Sequence, residues 1–160
     1  MPETAYEELL EDTVDVDAAP ATVWALVTDL PRMARWSPQV VRSKVWGRAV
    51  GQGAKFTNLN RRGYLFWPTN GKVVRFTPPS EHSVGEFGFR INENRTIWSF
   101  TLEPTATGTR VIQRRETPDG ISGVSMGLTK AALGGQDVFT DELRAGMRQT
   151  LERIKADAEG

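Results

Sequence analysis

His82 is the one histidine among the 160 residues of this chain, and Glu86 follows it at an even spacing. In an extended strand the imidazole and the carboxyl would therefore share a face. Set in an apolar interior, both would have perturbed proton affinities and would suit acid–base catalysis. Their direction depends on a strand pairing. If the turn at Pro78-Pro79-Ser80 sets Phe76 opposite His82 and Val74 opposite Val84, both groups point inward. Phe87 and Phe89 also require the interior, to meet Trp98. The two demands are compatible only if the strand bulges, which Gly85 and Gly88 permit. The alternative leaves His82 as a solvent-facing turn residue. Both registers of the Glu81–Phe89 strand stay open.

Uncharged groups offer a second kind of chemistry. Phe56 shares its strand face with Asn58 and Asn60, so an inward Phe56 brings two amides with it. Buried amides need partners, and a ligand carbonyl or hydroxyl would serve, as would water or a neighbouring side chain. In "TRVIQRRE", Thr109, Val111, Gln113 and Arg115 form one face. The other carries Arg110, Arg114 and Glu116, and three charges place it outside. Gln113 then points inward; Arg115 either joins it or lies at the strand end in water. Trp98, Phe100 and Leu102 make the inward face of the preceding strand.

Other catalytic arrangements are missing. The chain has no cysteine, which excludes disulfides, thiol catalysis and cysteine-held zinc. One histidine cannot build a usual histidine-rich metal site. No phosphate-binding glycine loop and no nucleophile elbow is present. The pairs Arg61-Arg62 and Arg114-Arg115 read as solvated charges, too few for a nucleic-acid footprint.

These residues need elements to position them. "LLEDTVDVD" alternates from Thr13 and reads as a strand. Pro20 suits the first position of a short helix with Val23, Trp24 and Val27 on one face. Pro31 stops that helix and opens another, "PRMARW", which Pro38 ends. From Val40 the period is two. Six short strands follow, "VVRSKVW", "AKFTNLN", "TNGKVVRFT", "EHSVGEFGF", "TIWSFTLEP" and "TRVIQRRE", as an antiparallel meander, with Asn70-Gly71 as a turn signal. "GVSMGLTKAAL" is a weak, glycine-broken helix, either a cover or a movable flap facing a partner. From about Asp137 a longer helix carries Phe139, Leu143, Met147, Leu151 and Ile154 as one apolar stripe. Arg148–Glu152 and Arg153–Asp157 are spaced to pair on its other faces. Only this helix is long enough to cover the sheet.

The bulk numbers fit one domain, residues 1–160. Lysine plus arginine number 20, as do aspartate plus glutamate, for a net charge of zero. That balance gives no support to nucleic-acid binding or to a polybasic membrane anchor. The acidic start lacks a signal-peptide core, and no stretch reaches the roughly 20 apolar residues of a membrane span. A cytoplasmic protein is expected. Five tryptophans and seven phenylalanines require a large core or a cavity.

The element order and four stretches, "VDAAPATVWALVTDLPRMARWSP", "GAKFTNLNRRG", "IWSFTLEPTATGTRVIQRRETPDG" and "FTDELRAGMRQTLERIKA", resemble the START and pollen-allergen (SRPBCC) superfamily, closest to its bacterial polyketide cyclase/dehydrase-like branch. The resemblance implies an α+β helix-grip fold. A curved seven-stranded antiparallel sheet would wrap a long C-terminal helix, with two short helices after the first strand. It also implies a cavity between sheet and helix for a hydrophobic small molecule: a lipid, a polyketide or an aromatic metabolite. Phe56, Trp98, Phe100, Phe139, Leu143 and Met147 would line it, with Trp67 beside them. Asn58, Gln113 and Arg115 would orient the ligand. Trp36 would sit at the cavity's end, as wall or as plug. The alternative implied activity is that of a polyketide aromatase/cyclase or dehydratase. There His82 would serve as acid or base, with Arg115 or Asn58 stabilising the oxyanion. No cofactor, metal or nucleic acid is expected, and the chain would be a monomer or homodimer.

Overall fold

The computed structural model describes residues 9–47, 49–117 and 136–160, with side chains in the last segment from 141 onward. Strand β1 (Leu9–Val16) leads into helix α1 (Pro20–Val27), a 3-10 turn (Leu30–Arg32) and the four-residue helix α2 (Met33–Trp36). Strands β2 (Val40–Trp46), β3 (Lys55–Arg62), β4 (Leu65–Thr77), β5 (Gly85–Ile91), β6 (Ile97–Pro104) and β7 (Thr109–Glu116) follow. Helix α3 (Gln136–Glu159) completes the order. The seven strands form one antiparallel sheet in the order β1-β7-β6-β5-β4-β3-β2. β2 to β7 are thus a meander, and β1 returns to pair with β7. The weak helix expected at 123–133 lies outside the described residues, as does the side chain of Phe139.

Each element follows from its residues. Pro20 starts α1, where its missing N–H costs nothing. Val23, Val27, Leu30 and Trp36 are buried behind it. On α3, Leu143, Met147, Leu151 and Ile154 are buried, the spacing that one helical stripe requires. α3 lies closest to β1, α1 and α2. Its polar side chains cap the free edge of β1. Arg148 donates to the Thr13 carbonyl at 3.1 Å, Lys155 to that of Asp15 at 2.8 Å, and Glu159 accepts the Asp17 N–H at 2.7 Å. An otherwise open strand edge is covered.

One expected turn falls elsewhere. Arg62 pairs with Leu65, so the β3–β4 hairpin turns on Gly63-Tyr64, with Gly63 at φ 62°. Glycine at the first of two turn positions suits such a hairpin. Asn70-Gly71 lies inside β4 instead. Gly71 serves packing there: a Cβ on it would stand 2.4 Å from the Phe56 ring. The register of the Glu81–Phe89 stretch, open in the sequence, is decided as well. Phe76 pairs with Phe87 rather than with His82, and β5 begins only at Gly85. The bulge that reconciles the phases is in β4, between Val73 and Arg75. It lets Val73 and Phe76 both point inward, where Phe76 meets Trp24 edge-on at 5.1 Å. Glu81 to Val84 are left in an exposed turn.

Candidate functional site

The inner face of the sheet carries an aromatic floor. Phe56 stands perpendicular to Phe89 at 5.1 Å, Phe89 lies 6.1 Å from Phe87, and Phe87 pairs across strands with Phe100. Edge-to-face contacts of this kind add about 0.5–1.5 kcal/mol each beyond area burial. Trp98 packs with Leu10, Leu143 and Met147 where α3 meets β1. Trp67 is half-buried on the same inner face, opposite Asn60.

Two polar stations interrupt this floor. On the first, Ser43, Asn58 and Thr69 stand side by side across β2, β3 and β4, and all three are buried. Asn60, next along β3, is satisfied locally: its amide donates to Thr69 Oγ1 at 2.9 Å and to the Trp67 carbonyl at 3.2 Å. Asn58 is not. Among the described residues its Nδ2 meets only the thioether of Met33, at 3.9 Å. Among the described residues, Asn58 Oδ1 and Ser43 Oγ have no hydrogen-bond partner, although the residues are 3% and 7% exposed. Leaving a buried polar atom unmade costs about 1–3 kcal/mol.

The second station is on β7. Gln113 pairs across strands with Phe100 and Asp12, and its Oε1 is likewise buried without a partner among the described residues. Arg115, opposite Trp98 and Leu10, is 2% exposed. It lies in the interior, not in water at the strand end. β3 and β7 are four strand spacings apart, roughly 19 Å along the curved sheet. The stations therefore stand at opposite sides of the aromatic floor.

Both ends of the grip are fastened. At one, Trp36 is buried, and its indole N–H donates to Asp157 of α3 at 3.2 Å. Its carbonyl accepts from Thr150 and Arg153. Trp36 thus ties α2 to α3 at that end of the grip. Asp157 takes Trp36 and Arg35 as partners; Arg148–Glu152 does pair, at 3.7 Å. At the other end, Arg62 grips Glu142 of α3, with its Nε donating at 2.8 Å. That hydrogen bond holds the Glu142 carboxyl below its ordinary proton affinity and pushes the guanidinium above its own.

The histidine lies apart from all of this. His82 is exposed in the turn between β4 and β5, its backbone N–H bonded to Ser80 Oγ at 3.2 Å. Glu86 is on the outer face, where Arg75 bridges it to Glu116 at 3.2 and 3.1 Å. Of the two directions open to His82, the structure has the solvent-facing turn, and Glu86 does not join it in the interior. Among the described residues, no three histidine, aspartate or glutamate side chains cluster to hold a metal ion. No described helix is long and apolar enough to cross a membrane. Ser43 and Thr69 escaped the sequence reading. Ser43 shares its phase with Val45, but only the cross-strand register sets it beside Asn58.

A family model described as polyketide cyclase/dehydrase and lipid transport matches residues 8–159. Solved structures share the fold. The Zhui aromatase/cyclase from Streptomyces sp. R1128 superposes with a TM-score of 0.70 at 14% identity, covering 94% of this chain and 93% of that one. A STAR-related lipid transfer protein fragment from Xanthomonas axonopodis gives 0.71 at 14% identity, with 95% and 86% covered. The KanY protein gives 0.67 at 21% identity, with 94% and 96% covered. A comparison with curated protein sequences finds no match.

Proposed function

Because the chain belongs to the polyketide cyclase/dehydrase and lipid transport family, we propose that it binds a hydrophobic small molecule, a lipid, polyketide or aromatic metabolite, between sheet and α3. The observation that carries this reading is the first polar station. Among the described residues, Asn58 Oδ1 and Ser43 Oγ are buried with no partner of their own, on the sheet face that also carries Phe56. An apolar wall with a few convergent polar atoms is the usual form of a small-molecule site. The unpaired amide oxygens of Asn58 and Gln113 are acceptors, so the matching ligand carries hydroxyl groups on an aromatic or alicyclic body. Phe56, Phe100, Trp67 and Trp98 would contact that body, with Leu143 and Met147 from α3.

The test uses a fluorescent naphthalene sulfonate dye as reporter and naphthol and naphthalene as competitors. Naphthol should displace the dye about fivefold better than naphthalene, the value of one hydrogen bond of about 1 kcal/mol. Asn58→Leu should erase that preference while leaving the melting temperature unchanged or raised, because it removes an unsatisfied amide. Absence of dye binding would mean a filled interior; equal displacement by both competitors would separate the station from the ligand. Native mass spectrometry of the protein from its own host would then identify the cargo's class.

Cyclisation or dehydration of a polyketide in the same space is the second reading. The interior position of Arg115 favours it, since a guanidinium there would stabilise a developing enolate oxygen. His82 takes no part in this version: the acidic proton between two carbonyls would pass to water, and holding the chain in a productive bend supplies most of the acceleration.

A further inference from the structure

The zero net charge conceals a strong segregation. Between Leu30 and Ser80 the chain carries ten of its twenty lysines and arginines and none of its twenty acidic residues. The strands of that stretch concentrate the charge on one face. Arg42 and Lys44 of β2, Lys55 and Arg61 of β3, and Lys72 of β4 alternate with the inward residues and so share the outer face. All five are exposed, and none makes an ion pair among the described residues. Glu93 reaches the margin of this face, held there by Asn70.

The same region holds most of the exposed apolar surface. Of eight large hydrophobic side chains exposed among the described residues, six are Val41, Trp46, Leu59, Tyr64, Leu65 and Phe66. Tyr64, at the turn of the β3–β4 hairpin, is 102% exposed, and Phe66 is 52% exposed. Rings and cations are paired. Lys44 lies over Trp46 at 4.5 Å and Arg61 over Phe66 at 5.9 Å. Patches this apolar are rarely left bare without a partner.

We propose that the outer face of β2–β4, with the Gly63-Tyr64 tip leading, docks on an anionic lipid surface. Aromatic side chains settle at the headgroup layer, where the ring meets acyl carbon and its polar edge stays wet. The neighbouring cations meet lipid phosphates, and each contributes attraction within a Debye length of the surface. Other occupants fit less well. A second copy would set five cations that lack ion pairs against five more. Nucleic acid would use the cations and rings but leaves Val41 and Leu59 nothing to stack on. An acidic protein would satisfy the charges, yet a fully exposed hairpin tip is shaped to enter a soft layer. The tip adjoins the Arg62–Glu142 clasp, so docking brings lipid to the end of the grip near the start of α3.

The experiment is vesicle co-sedimentation of the full chain, comparing phosphatidylcholine vesicles with vesicles containing about one-third phosphatidylglycerol. Binding should occur only to the anionic vesicles and fall steeply as salt rises from about 0.1 to about 0.5 M. Each of Lys44→Gln, Lys55→Gln and Arg61→Gln should weaken it about fivefold. Tyr64→Ser with Phe66→Ser should weaken it about tenfold or more at unchanged charge. These positions are exposed, and an unchanged melting temperature checks that each variant folds. Equal binding to both vesicle types, or none to either, overturns the proposal. So does a dimer that buries the face, or tighter binding to single-stranded DNA or to an acidic carrier protein than to the anionic vesicles.

Discussion

Gly71 and Phe56 form one unit. The glycine has no side chain because the ring of Phe56, which is 1% exposed, occupies the space where a Cβ would go. The ring in turn stands against Phe89. Gly71→Ala forces these rings apart and should cost about 1–3 kcal/mol of stability, read by denaturant unfolding. Phe56→Leu should relieve the clash, so the double variant loses less than the two single changes summed. At this scale the sequence was legible for half of the site. Alternation put Phe56, Asn58, Gln113, Trp98 and Phe100 on the inner face, where they are. It left His82 and Arg115 open, because phase fails at strand ends. The β4 bulge shifted one phase, and β7 continues far enough to cover Arg115. Ser43 was overlooked because its importance lies in its neighbour Asn58, and neighbours across strands are set by register.

The elements themselves were largely readable. Pro20, Pro31 and Pro38 punctuate the short helices, and the period of two marks every strand of the meander. The β3–β4 hairpin was misplaced because Asn70-Gly71 imitates a turn signal, while its glycine serves the Phe56 ring. The true turn at Gly63 places Arg62 where it can reach α3. That clasp makes a pH prediction. The hydrogen bond from Arg62 lowers the folded proton affinity of Glu142. Its contribution is present in full above the ordinary glutamate value and is lost as pH falls through the lower folded one. Wild type should therefore melt above Glu142→Gln by a constant margin at neutral pH, and the margin should shrink in acid. Thermal melts of the two proteins across that range test it. A margin independent of pH would mean that the ionised pair contributes nothing beyond its packing.

At the scale of the whole molecule, balance and uniformity differ. A sequence pI of about 6.6 describes a protein near neutrality at physiological pH. The cations of β2–β4 nevertheless gather on one side, while every acid lies outside residues 30–80. The protein should therefore be retained on a cation exchanger near pH 7 at low salt, and replacing Lys44, Lys55 and Arg61 by glutamine should release it. Total charge hid this feature; a count along the chain would have revealed it. The sheet order has a different consequence, for synthesis. Hairpins β2 to β7 close locally, but β1 must wait for a partner about one hundred residues later, as in Leu9 opposite Glu116. Closing that loop costs roughly 4 kcal/mol of chain entropy before any pairing is gained. α3, whose side chains hold β1 in place, emerges later still. Until then the nascent chain presents the bare edge of β7, with Val111 and Ile112, to its surroundings. Residues 9–16 thus act as the last-fitted guard against aggregation, and damage there should be felt first in the yield of folded protein.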